Sequence, residues 1–194
     1  MEFIAKIFKK ESKREIDFED LQNVLTRTQP PIKKLKISTC DYSEVYPRIY
    51  VGDWNTAQNL NLLLSLGITH VVNAAEGNGF DLVKTNEEFY RPVNIAYMGL
   101  SLSDDPDVAI NEYFDSVSNF IDDALLQKGK ILIHCIMGIS RSATIAIAYL
   151  MIKKRLRAKD AVEKVKKARY IQPNDGFLKQ LAQLDNDLFH ILNH

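Results

Sequence analysis

Cys135 and Arg141 stand six positions apart in the stretch KILIHCIMGISRSATIAIAYLMI, residues 130–152, with Gly138 between them and an apolar run on each side. A segment built only to pack has no need of a thiol and a guanidinium there. The apolar run before Cys135 reads as a strand and the one after Arg141 as a helix. In open α/β sheets ligands bind off the carboxyl ends of strands. Backbone N–H groups at a helix start lack intrahelical acceptors, and the helix dipole adds positive potential. A turn of successive N–H groups makes an anion nest, and Gly138 lets that turn curl without a Cβ clash. Such a loop suits a tetrahedral oxyanion.

A thiol at the floor of that cradle is held as a thiolate by the same donors, and a thiolate is a nucleophile at neutral pH. Arg141 offers a planar fork that grips two phosphate oxygens. Cys135 would attack phosphorus from one side. Arg141 and the amides of Ile136, Met137, Gly138, Ile139, Ser140 and Arg141 itself would hold the oxygens and meet charge that develops in the transition state. A lone cysteine at a strand end is usually a small buried hydrophobe, and a lone arginine early in a helix usually faces water. Their joint occurrence, with strand before and helix after, favours the phosphate pocket. His134 fits a role in tuning and positioning the loop. Ser140 and Ser142 either cap the helix or, in the case of Ser142, donate to the sulfur and ease its departure in a second step.

Expelling an alkoxide or phenolate needs a proton donor, and hydrolysis then needs a base; one carboxyl group can serve both in turn. The candidate stretch is LSLSDDPDVAINEYF, which follows a strand and precedes a helix. Asp104, Asp105 and Asp107 are available, with Pro106 stiffening the turn. The alternative is an acidic loop that caps the next helix. Spacing does not choose among the three aspartates.

These parts require a scaffold. Strands are expected at RIYVGD, ITHVVNAA, NIAYMGLSL and KILIHC. Helices are expected over Thr56–Leu66 (ended by Gly67), Asn111–Leu126, Ser142–Lys154, Lys159–Arg169 and Asn174–Leu192, the last capped by Asn174. Interleaved strands and helices predict an α/β layer fold. We expect a single domain with a central, mixed but mostly parallel sheet of about five strands flanked by helices. The phosphate-binding loop would lie between the last core strand and its helix. Residues 1–38 read as an N-terminal arm with a short helix, and residues 39–194 as the catalytic domain. In the arm, Phe3, Ile4, Ile7 and Phe8 suit one helix face, and Asp17–Thr28 shows Phe18, Leu21 and Leu25 at helical spacing before Pro30 and Pro31.

The totals exclude several classes. Lys+Arg and Asp+Glu both number 25, so no global charge steers the chain to nucleic acid or anionic membrane. The two cysteines, Cys40 and Cys135, make no disulfide framework and fit a reducing compartment. The longest apolar stretch, Ala143–Ile152, is too short to span a bilayer, and no signal peptide is read at the N-terminus. The Lys and Arg run from Lys153 to Arg169 reads as the solvated side of helices. Arg91 reads as surface, Asn73 and Asn174 as loop buttresses, and Glu76, Asn78 and Gly79 as a strand-end loop near the pocket.

HCIMGISRS carries a His-Cys-five-residues-Arg-Ser signature. Together with VYPRIYVGD, LGITHVVNAAEG, SDDPDVAINEYF, SRSATIAIAYLM and IQPNDGFLKQL, it resembles the small atypical dual-specificity protein phosphatases over about Tyr42 to Leu188. The resemblance implies Asp104 as general acid, counted back from Phe114, with Asp105 as runner-up. It implies a reaction without metal or cofactor through a phosphocysteine. Substrates would be phosphotyrosine and phosphoserine or phosphothreonine in proteins, admitted by a shallow pocket; kinases are one candidate class, not one to be assumed, since the chain has no room for the separate docking domain of the MAP-kinase-specific branch. We expect a cytoplasmic or nuclear protein, monomer or weak homodimer, without nucleic-acid or membrane partners. Two alternatives stand beside this. One is a pseudophosphatase-like module that binds phosphoproteins. The other is a phosphatase of a non-protein substrate, such as a phosphoinositide or an RNA 5′ phosphate.

Overall fold

The computed structural model describes residues 15–27, 29 and 40–190. The short helix expected around Phe3–Phe8, and Pro30 and Pro31, lie outside them. The helix expected over Asp17–Thr28 forms as α1, Phe18–Thr26. It starts in a reciprocal cap: Asp20 N–H donates to Asp17 Oδ1 at 2.9 Å and Asp17 N–H to Asp20 Oδ2 at 3.3 Å.

Five strands follow: β1 Tyr42–Tyr46, β2 Ile49–Gly52, β3 His70–Asn73, β4 Ala96–Gly99 and β5 Ile131–His134. They form one sheet in the order β1-β2-β5-β3-β4. All pairs are parallel except β1 with β2. The mixed, mostly parallel sheet is therefore as expected. The edge strand β1 was not read as a strand, because Tyr42–Tyr46 has only Val45 deeply buried and so shows no continuous apolar run.

The pleat sorts the strand side chains into two cores. Ile49, Val51, Val72, Ile131 and Ile133 face the larger one. Tyr50, Val71 and Leu132 face the smaller one with Leu63, Ile68 and Tyr90. The larger core is covered by α5 (Phe114–Leu126), α6 (Arg141–Lys154), α7 (Ala158–Ala168) and α8 (Asp175–His190). Helix α6 runs through the middle and is buried continuously from Arg141 to Met151, so over that length it has no face turned to solvent. The smaller core is covered by α2 (Trp54–Gln58), α3 (Leu60–Leu66) and the short α4 (Glu87–Tyr90).

One expected element divides. The helix read over Thr56–Leu66 is two helices, α2 and α3, meeting at Asn59, whose φ of −89° and ψ of 81° break the turn. Asn59 Oδ1 then accepts from Leu62 N–H and starts α3, which Gly67 ends in the left-handed conformation. An Asx side chain that caps its own backbone explains why apolar spacing alone misses the break.

Candidate active site

The strands end in one row. Gly52 and Asn73 both pair with His134, and Gly99 pairs with Asn73. Four chain segments therefore leave the sheet side by side at its carboxyl edge, and each supplies a part of one site.

The loop 135–140 is turned inside out by its anchors. Trp54 N–H, at the start of α2, donates to Ile136 O at 3.0 Å. Arg169 donates from its second terminal nitrogen to Met137 O at 3.0 Å and from Nε to Gly138 O at 2.6 Å. Gln172 N–H donates to Ile139 O at 3.0 Å, and Thr144 donates to Ser140 O from both N–H and Oγ1 at 2.9 Å. With the carbonyls from 136 to 140 tied to these donors, the loop curls over Cys135. Gly138 N–H donates to Cys135 Sγ at 3.3 Å. Gly138 has φ +67°, and a Cβ there would sit 2.5 Å from Gly52 O and 2.7 Å from the Arg169 guanidinium. Only glycine fits that turn.

Cys135 is 1% exposed at the floor of a cavity of about 550 Å³. Ser142 Oγ lies 3.3 Å from its sulfur. Ser142 is thus no mere helix cap. Ser140 occupies the N-cap position of α6 but its side chain caps nothing, because its hydroxyl donates to Asp104 Oδ1 at 2.7 Å. His134 is fully buried, and burial pushes its imidazole down to about 4, so it is neutral at pH 7. Its Nδ1 lies 3.4 Å from Cys135 O, a contact suited to orienting the loop.

Arg141 is 2% exposed. One terminal nitrogen donates to Asp81 O and Leu102 O, each at 2.8 Å, and the other to Asp81 Oδ1 at 2.7 Å. Its Nε has no hydrogen-bond partner among the described residues and lies 3.7 Å from Asp104 Oδ2. A buried N–H without an acceptor is costly, and an anion seated in the cavity would satisfy it.

Asp104 lines the same cavity; Asp105 and Asp107 do not. Asp104 Oδ1 accepts from Ser140 Oγ and, at 2.9 Å, from Asn174 Nδ2. Asp105 instead accepts from Asp107 N–H at 2.9 Å, closing a local turn. The loop bearing Asp104 rests on the start of α8. Asn174 Oδ1 caps that helix through Phe177 N–H at 3.0 Å, and Gln180 Nε2 donates to Val108 O at 2.9 Å. A Cβ on Gly176 would meet Pro106 O, so helix and loop touch directly.

Met137, Ile136 and Ile139 supply apolar wall, joined by Tyr170, Gln172 and Pro173. Asn73 buttresses as expected: its Nδ2 donates to Val83 O and Thr85 Oγ1, each at 3.0 Å. Arg91 is exposed and outside the cavity. Glu76 and Asn78 line a neighbouring hollow, while Asp81 of the same loop reaches the site.

Two residues escaped the sequence reading. Asp81 carried one signal, a carboxylate in a strand-end loop. Arg169 carried none, since it sits among basic helix residues that read as solvated. Arg169 and Lys166 correct that reading: they are 4% and 2% exposed, and both are tied inward.

A mostly parallel sheet whose central strand leads into a cysteine, with a loop curled over it and an arginine entering the next helix, defines a cysteine-centred α/β fold. Residues 49–187 match the family model described as dual specificity phosphatase, catalytic domain. The chain belongs to that family and is a phosphatase domain. Solved structures agree. The human tyrosine phosphatase-like serine/threonine/tyrosine-interacting protein is 31% identical, over 75% of this chain and 96% of that one, with a TM-score of 0.67. DUSP15 is also 31% identical, over 78% and 94%, with a TM-score of 0.64. Human DUSP28 is 26% identical, over 76% and 94%, with a TM-score of 0.66.

Proposed function

We propose that this phosphatase removes phosphate from tyrosine and from serine or threonine in proteins, through a phosphocysteine. The observation that carries the reading is the pairing of Cys135 Sγ with the unpartnered, buried Nε of Arg141 in one cavity. In the first step Sγ attacks phosphorus, the S–P bond forms and the O–P bond of the ester breaks. The inward amides and Arg141 Nε hold the phosphoryl oxygens. Asp104 gives its proton to the leaving oxygen. In the second step Asp104 takes a proton from water, the water oxygen bonds phosphorus, and the S–P bond breaks. Ser142 donates to the departing sulfur. The products are the free hydroxyl side chain and inorganic phosphate.

Apolar Ile136, Met137 and Ile139 in the cavity wall favour a phosphorylated side chain over a polyphosphorylated lipid or RNA end, which calls for more cations. The name of one relative describes it as phosphatase-like and interacting. A purely binding role here would waste a complete set of thiol, guanidinium and carboxyl group, so we favour turnover. A free thiol suits the reducing cytoplasm or nucleus, where we place the protein as a monomer or weak homodimer acting on phosphoproteins.

The test is turnover of an aryl phosphate and of matched phosphotyrosine and phosphothreonine peptides. Wild type should hydrolyse all three. Cys135→Ser should hydrolyse none, and Asp104→Asn should lose roughly 100-fold or more on the peptides. A Cys135→Ser variant as active as wild type would falsify the mechanism. Hydrolysis of one peptide alone would remove the dual specificity.

A further inference from the structure

Asp81 lies on the loop after β3, held by Asn73, and its carboxylate touches two working parts of the site at once. Oδ1 accepts from the Arg141 guanidinium at 2.7 Å, and Oδ2 accepts from Asp104 N–H at 3.0 Å. Its backbone oxygen takes a further Arg141 N–H at 2.8 Å. We infer that Asp81 is a positioning residue that sets the phosphate-gripping arginine and the general acid together, through one carboxylate. The inference rests on the proposed function.

The geometry argues for this in three ways. First, Asp81 and Leu102 O engage both terminal nitrogens of Arg141, and in that orientation Nε has no hydrogen-bond partner among the described residues. A guanidinium 2% exposed needs a counter-charge, and Asp81 supplies one at a terminal nitrogen, 2.7 Å away. Second, Oδ2 holds the backbone of Asp104, while Ser140 and Asn174 hold its side chain. The acid is therefore fixed at both ends. Third, the Asp81 side chain is 46% exposed, so it is not a core-packing residue whose loss would reshape the fold. Misplacing a reacting group by about 1 Å can cost 100-fold in rate, so a single tether acting on two groups matters.

The experiment uses the intact chain carrying Asp81→Ala. Two quantities are read: affinity for vanadate, and the dependence of turnover on the acidity of the leaving phenol across a series of aryl phosphates. Vanadate reports Arg141. Leaving-group dependence reports Asp104, because an acidic phenol leaves without a proton donor and a weakly acidic one does not. Removing a negative charge beside an anion site would, by itself, tighten vanadate. Positioning predicts the opposite: vanadate binding weaker by about 10-fold, and a steeper leaving-group dependence, with the loss largest, about 10-fold or more, on the poorest leaving group. Vanadate affinity equal to or tighter than wild type, with an unchanged leaving-group dependence, overturns the inference.

Asp81→Asn provides the second variant. It keeps an oxygen for Arg141 but sets an amide N–H against Asp104 N–H. It should bind vanadate close to wild type yet show the steeper dependence; a wild-type dependence in this folded variant overturns the role toward Asp104. A wild type whose turnover does not need Cys135 would sink the proposed function instead, and vanadate affinity of the variants would still read the tie to Arg141.

Discussion

Cys135 Sγ accepts from Gly138 N–H at 3.3 Å and lies 3.3 Å from Ser142 Oγ, and in the proposed mechanism the two groups act at different moments. The amide points at the sulfur that would make the attack. In that mechanism the hydroxyl matters most when the S–P bond breaks and charge returns to sulfur. Ser142→Ala should therefore leave the first turnover fast and slow the steady state by roughly 10-fold, with phosphoenzyme accumulating. Rapid quenching would show a burst of phenol followed by a slow phase; a single slow phase with no burst would remove this role. His134 makes a prediction of a different kind. Its imidazole is pushed from its ordinary 6.5 down to about 4 by burial. Between those values the native state binds fewer protons than the unfolded chain, so stability falls as pH drops from about 6.5 toward about 4. The loss from this group approaches about 3 kcal/mol. Urea unfolding across that range should show the slope, and His134→Gln should flatten it.

At the scale of elements, the loop 135–140 owes its shape to neighbours rather than to its own sequence. Its carbonyls are held by α2 through Trp54, by the end of α7 through Arg169 and by the following loop through Gln172. Arg169 is itself fixed by Asp41 Oδ2 at 2.8 Å. A fork that spans two carbonyls and a carboxylate is work for a guanidinium, which a lysine point charge cannot do. Gly138 sits at the crowded centre, against Gly52 O and Arg169. Gly138→Ala should cost about 1–3 kcal/mol from its positive φ alone, and the clash should push the loop out of its anion-binding curl. Vanadate binding should be lost while far-UV circular dichroism stays native. Retained vanadate affinity would mean that the loop can curl in another way.

Across the whole molecule, helix α1 is part of the packed body. Helix α1 lies on α7 and α8, burying Leu21, Val24 and Leu25. Lys166 Nζ donates to Val24 O at 2.7 Å and pairs with Glu163 at 3.1 Å. Lys159 meets Asp20 at 2.8 Å. Gln22 reaches Asp175, at the first turn of α8, at 3.2 Å. Much of the basic run that looked solvated is thus spent on joining helices. Leu21 has no exposed surface, so Leu21→Ala should cost about 2–5 kcal/mol in global unfolding, with kcat of the folded protein unchanged. If α1 frayed independently, the urea midpoint would not move.

How much could be read beforehand follows from range. The strands β2 to β5, the helices α5 to α8 and the loop from Cys135 to Arg141 are visible because each is written in neighbouring residues: an apolar run, a helical period, a thiol and a guanidinium either side of glycine. Edge strand β1 and the Asn59 break are not, since one lacks a deeply buried run and the other is a side chain bonding its own backbone. Which aspartate enters the cavity is chosen by Ser140 and Asn174, 36 and 70 positions away from Asp104. Asp81 finds Arg141 across 60 positions, and Arg169 finds Asp41 across 128. Sequence by itself determined the cysteine-to-arginine loop and the layered sheet, because local pattern encodes local backbone and burial. Tertiary structure alone decided the supporting carboxylates and guanidinium, because a hydrogen bond between distant residues leaves no period in the chain and exists only once the strand ends stand in one row.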